Sequence, residues 1–129
     1  MKPSVIGIFG PPNTLKSSIA VGITDLEEFT GCLRYYDFDL GFDRAWGGED
    51  KTADGRIELE TMFLPTRDLD RKDTKMVGFS ELWTEFTDNF KKDCQNPWCS
   101  GIAWDTATSV WALCRDAYLQ ELQRGSPNR

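Results

Sequence analysis

Histidine is absent from this chain, and several other features are scarce. Without an imidazole the commonest zinc ligand is missing, and the four cysteines, Cys32, Cys94, Cys99 and Cys114, do not make up for it. Cys94 and Cys99, four residues between them, are the only close pair, no Cys-x-x-Cys is present, and Cys114 falls in an apolar helical pattern where a small buried thiol is the ordinary state. A zinc site and a structural disulfide are both disfavoured, and the cysteines are assigned no role beyond packing. Net basic charge is lacking too: the formal charge is −6, so bulk electrostatics recruits neither nucleic acid nor an anionic membrane surface. Long apolar runs are missing as well. The only N-terminal one is about six residues and stops at Pro11-Pro12, too short for a signal-peptide core or a membrane span. The expectation is a cytoplasmic protein with no membrane partner.

What is present is enough for one core. With 129 residues, 40% of them hydrophobic and 12% aromatic, a single α/β domain over residues 1–129 is expected. The stretch that organises it is Ser4 to Ala20, SVIGIFGPPNTLKSSIA. Val5, Ile6, Ile8 and Phe9 read as a buried strand, Gly10 lets the chain turn, and Lys16-Ser17-Ser18 opens a helical pattern. The string matches G-x-x-x-x-G-K-[ST] except that Leu15 stands where the second glycine belongs. Such a loop turns successive backbone N–H groups and a helix N-terminus toward an anion, so Gly10, Pro11, Pro12, Asn13, Thr14, Leu15, Lys16, Ser17 and Ser18 are the candidate nucleotide-binding residues. Lys16 would reach the β- and γ-phosphates and Ser17 would ligate Mg2+. The competing reading is an ordinary strand-turn-helix with a proline-rich turn and a solvated lysine.

Further along, the loop helix is expected from about Leu15 to Glu28, with Ile19, Ile23 and Leu26 on its apolar face and Gly31 as a stop. The aromatic run Cys32 to Phe38 reads as a strand ending in Asp37 and Asp39, which point the same way if the backbone stays extended. Ligands bind at such strand ends in parallel sheets, although a polar strand exit followed by an acidic turn explains the same letters. Gly47-Gly48 and Asp54-Gly55 mark turns on either side of Glu49 to Ala53, and Ile57 to Leu64 alternates as a half-exposed edge strand. Arg67 to Lys75 is a solvated loop of alternating charge. A helix from Ser80, as N-cap, to about Lys92 carries Leu82, Trp83, Phe86 and Phe90 on its apolar face. These aromatics suit a core better than a base-stacking platform, because no basic residues interleave with them.

Gly101 to Val110, GIAWDTATSV, is the second informative stretch: an apolar run that ends in Asp105. It has the form of a Walker B strand, lying beside the first strand so that Asp105 holds Mg2+ together with Ser17 or a bound water. A helix then begins over Thr106 to Ser109, with the stripe Val110, Trp111, Cys114, Ala117, Tyr118 and Leu122.

From GPPNTLKSS through YYDFD to IAWDTATSVWALCRDAYL the chain resembles the RecA-like P-loop ATPases of phages and prophages, some of which act in single-strand annealing and DNA recombination. The resemblance implies a P-loop NTPase fold, a mostly parallel sheet flanked by helices, and ATP with Mg2+ as cofactors. It places the triphosphate on Lys16 and Ser17, the water-activating carboxylate on Asp39, and the Walker B acid on Asp105. It further implies a homo-oligomer and single-stranded DNA as a partner through segments not in this chain. Two residues depart from the family pattern: Leu15 replaces a glycine, and Asp39 stands where a longer glutamate is usual. Only Gly125 to Arg129 follow the last helix, where such cores continue with more strands, so an incomplete, N-terminal portion of a longer ATPase is expected. A small-molecule phosphotransferase and a nucleotide-binding assembly module without turnover are the competing functions.

Overall fold

The aromatic run forms a strand over Cys32–Asp37 (β1), and the fold is built around it. Nearly all its side chains are buried, as a strand with a neighbour on each edge and helices on each face requires. Ile57–Thr61 (β2) pairs in parallel along one edge, with Leu33 opposite Ile57. Cys99–Asp105 (β3) pairs in parallel along the other, with Asp37 opposite Asp105. The sheet order is therefore β2-β1-β3. Among the described residues four α-helices, Lys16–Gly22 (α1), Gly48–Ala53 (α2), Phe79–Gln95 (α3) and Ala107–Gly125 (α4), complete a mixed α/β arrangement in which a small parallel sheet is flanked by helices. The computed structural model describes residues 4–11, 15–65 and 76–125, so Pro12, Asn13 and Thr14, like the whole charged loop from Arg67 to Lys75, lie outside the described residues.

Because side chains alternate along a strand, neighbouring residues of β1 serve different cores. Tyr36, with Phe38 just beyond the strand, packs with Phe86 of α3 and Val110, Leu113 and Ala117 of α4. Phe86 lies at the middle of this cluster, edge-on to Tyr36 at 5.1 Å and to Phe38 at 5.4 Å between ring centroids. On the opposite face Leu33 and Tyr35 pack with Val21 of α1, Ile57, Phe42 and Ala45. Gly31 leads into β1 with φ of 91°, and a Cβ there would come within 2.2 Å of the Trp98 carbonyl oxygen, so glycine is required for the two strands to approach.

Several local expectations are corrected. Val5, Ile6, Ile8 and Phe9 are not a buried strand: all four are exposed, and no strand of the described residues forms a ladder with them. An apolar run becomes a buried strand only where a neighbouring edge accepts its backbone, and here β3 pairs with β1 instead. The loop helix is short, α1 ending at Gly22 in a 3-10 turn over Ile23–Asp25, and Ile19 and Leu26 are exposed. β2 ends at Thr61, after which Met62 is buried and Phe63 exposed, the reverse of the expected alternation. Ser80 is not the N-cap of α3. Gly78 is, with φ of 83°, and the unpaired N–H groups of Phe79 and Ser80 donate to Oε1 of Gln120 at 2.9 and 3.1 Å. That contact turns α4, whose buried face is Val110, Leu113, Asp116, Ala117 and Gln120, while Trp111, Tyr118 and Leu122 are exposed.

Candidate functional site

The chain leaves β1 toward the face that holds Phe42, Ala45 and α1, and leaves β3 toward the face that holds α4. The C-terminal ends of β1 and β3 thus lie where the two connections part to opposite faces, and such points are where open α/β sheets take ligands. Ser17, Asp39 and Asp105 meet there from three elements.

Leu15 comes first. It has φ of 61° and ψ of 22°, the left-handed conformation for which the motif uses glycine, so the backbone keeps the turn although the glycine is gone. Directly after it, the Lys16 ammonium curls back over the loop and donates to the carbonyls of Gly10 at 2.9 Å and Pro11 at 2.6 Å. Ser17, in the first turn of α1, donates its hydroxyl to Oδ2 of Asp105 at 2.6 Å. These two residues are 88 apart in the chain, so the contact joins the loop helix to the end of β3. The next residue, Ser18, faces elsewhere. Its hydroxyl oxygen accepts the backbone N–H of Trp46 at 3.0 Å and fastens α1 to the segment after β1.

The two carboxylates at the end of β1 and just beyond it separate. Asp37 is buried, and its two oxygens accept the backbone N–H groups of Gly41 and Phe42, each at 3.2 Å. Burial pushes its carboxyl above the usual range, opposed by those N–H groups and helped by the charge of Asp105 beside it. It shapes the turn. Asp39 is exposed at the same end of the sheet, and its Oδ1 accepts the Ser109 hydroxyl of α4 at 2.9 Å. The main chains also meet there, since the Phe38 N–H donates to the Asp105 carbonyl at 2.7 Å.

Asp105 is the hub. Besides Ser17 it accepts the phenolic hydroxyl of Tyr35, at 2.5 Å and on the same Oδ2. The Tyr35 hydroxyl is held well above the usual phenol range, first by burial and then by the adjacent Asp105 carboxylate, so it remains a donor. Among the described residues no cation pairs with Asp105; its hydrogen-bond partners are two neutral hydroxyls. Nor do the described residues hold a group of three or more His, Cys, Asp or Glu able to enclose a metal by themselves. The four cysteines are free thiols; Cys32, opposite Cys99 in the β1–β3 ladder, is raised to about 11, chiefly by burial. Among the described residues no helix is long and apolar enough to cross a membrane.

Comparison with protein-family models, curated proteins and solved structures gives no match for this chain. The site thus stands on its own geometry. That geometry brings together Leu15, Lys16, Ser17, Asp39 and Asp105, and includes two residues that the sequence pattern did not single out, Tyr35 and Ser109. A signal for Tyr35 was present: it lies on the same face of the strand as Asp37, one step back. Only the register, with Asp37 opposite Asp105, turns that into a contact.

Proposed function

We propose that this chain is an ATP- and Mg2+-binding P-loop domain. The observation that carries the reading is the Ser17–Asp105 contact, a hydroxyl at the start of a loop helix and a strand-end carboxylate with no cationic partner among the described residues, 2.6 Å apart. Mg2+ favours oxygen ligands, keeps several waters and is bound through one or two carboxylates plus substrate phosphates. A site with one serine, one aspartate and no enclosing cluster among the described residues has the composition that such an ion uses. Ser17 and Asp105 would hold the ion, which when bound would draw charge from the phosphate oxygens. Lys16 would exchange the Gly10 and Pro11 carbonyls for those oxygens, and Leu15 holds the turn that presents the loop. Asp39, at the same strand ends and hydrogen-bonded by Ser109, would be the carboxylate that orients a water.

Lys16→Ala removes a charge-assisted contact and is expected to weaken Mg-ATP binding by about tenfold or more. Asp105→Asn is expected to weaken binding in Mg2+ far more than in EDTA, because the lost charge is the metal's partner. Titration with a fluorescent ATP analogue under both conditions checks both variants. Equal affinities for parent and Lys16→Ala would remove the phosphate reading, and an equal loss in Mg2+ and EDTA for Asp105→Asn would make Asp105 structural. Turnover in a RecA-like assembly on single-stranded DNA, in phage recombination or replication, rests on the resemblance of the three motifs alone.

A further inference from the structure

The chain carries two adjacent buried tyrosines, each with its phenol on a carboxylate, and only one of those carboxylates belongs to the site above. Tyr35 is fully buried, its ring edge-on to Phe42 at 4.9 Å, and the phenol reaches Oδ2 of Asp105 at 2.5 Å. Ser17 meets the same oxygen at 2.6 Å, and no described residue donates to Oδ1. Two donors on one oxygen fix the plane of the carboxylate and leave the other oxygen directed elsewhere. Of the two donors only Ser17 is expected to touch the ion, and its hydroxyl oxygen can give a lone pair to a metal while its O–H still donates to Asp105. The phenol is then the restraint that does not move.

Resting on the Mg-ATP reading, we infer that Tyr35 is a positioning residue for the metal-bearing carboxylate, acting on the ion through Asp105 and without touching it. Partners of this kind orient metal ligands, and their loss typically lowers metal affinity tenfold to a hundredfold. A tyrosine that only satisfied its own hydroxyl in the core would matter for folding and not for the ion. Tyr36 supplies the internal control. It is equally buried, its phenol donates to Asp93, and it faces the other core.

The test is the ratio of ATP-analogue affinity in Mg2+ to that in EDTA, measured for the parent, Tyr35→Phe and Tyr36→Phe, with thermal unfolding of each apo protein alongside. Tyr35→Phe is expected to lower the Mg2+-dependent gain by about tenfold with binding in EDTA unchanged. Tyr36→Phe is expected to lower the melting temperature and leave the ratio alone. A parent whose binding ignores Mg2+ overturns the metal reading and this inference with it. A Mg2+-dependent parent with an unchanged ratio in Tyr35→Phe, or an equal change in Tyr36→Phe, overturns the inference alone. If Tyr35→Phe does not fold, fluorotyrosine-labelled protein with otherwise native sequence serves, its resonances assigned through Tyr36→Phe and Tyr118→Phe. The Tyr35 fluorine signal is expected to move when Mg2+ joins bound ATP and when Asp105 becomes Asn in the apo protein, while that of Tyr36 stays. A Tyr35 signal that ignores both changes overturns the inference.

Discussion

The two faces of the sheet both seat a β1 tyrosine on a carboxylate, and they do it with opposite electrostatics. Behind α3, Asp93 receives the Tyr36 phenol and also the guanidinium of Arg34, whose Nε donates at 3.1 Å. Arg34 lies 5.4 Å from the Tyr36 ring centroid and reaches Glu58 and Glu60 at 3.4 and 3.5 Å, so one guanidinium is shared among three carboxylates. On the α1 face, Asp105 receives two hydroxyls and, among the described residues, no cation. A partly buried carboxylate is stable with a cation beside it, and one held only by neutral donors retains its attraction for a metal ion. The first arrangement closes a core. The second leaves a charge available, at the strand ends where ligands enter α/β sheets.

If the faces divide the work in this way, the largest effect should come from the closed side and spare the open one. Phe86→Ala removes the ring at the centre of the α3–α4 core and is expected to destabilise the fold by about 4 kcal/mol, read from the urea midpoint. Nucleotide binding, measured on the folded fraction, should be retained. A large loss of affinity in that fraction would show that the faces are not separable.

A smaller effect is expected on the open side from Leu15→Gly. A left-handed non-glycine residue costs about 1–2 kcal/mol, and glycine in its place adds chain freedom worth roughly 0.5–1 kcal/mol to the unfolded state. The net expectation is a gain of up to about 1.5 kcal/mol in stability with no loss of ATP-analogue affinity. A marked drop in the melting temperature would mean that the Leu15 side chain, not its backbone, holds the loop.

The smallest effect lies at the α3–α4 contact. Glu81 is held at about 2, below its ordinary 4.5, first by the Gln120 amide, which donates at 3.0 Å, then by its own backbone and by Arg124. A carboxyl lowered in the folded state contributes stability that is present above pH 4.5 and lost as pH falls toward 2. The parent should therefore exceed Glu81→Gln in melting temperature near neutrality, and the two should converge across that acid window. Parallel curves would assign the contact to Gln120 alone.

Much of this was legible in the residues. The aromatic run is β1, the apolar run before Asp105 is β3, the segment from Ile57 is an edge strand, and Phe86 sits on the apolar face of a long helix. Where pattern and structure part, a polar group has taken a structural role or an apolar group has no partner. Gln120 caps α3 and so turns α4, which leaves Trp111 and Tyr118 in solvent. Val5 to Phe9 have strand composition but no ladder among the described residues.

The sequence by itself determined which residues can share a face, where the chain turns and which strand ends in an acid, because alternation, glycine or proline punctuation and strand length are local properties. The tertiary structure alone decided that β3 lies against β1, that Asp105 therefore comes opposite Asp37 and within reach of both Ser17 and Tyr35, and that Asp39 meets Ser109. The physical reason is that strand order and register depend on which distant edges satisfy one another's backbone groups, and no window of local sequence carries that choice.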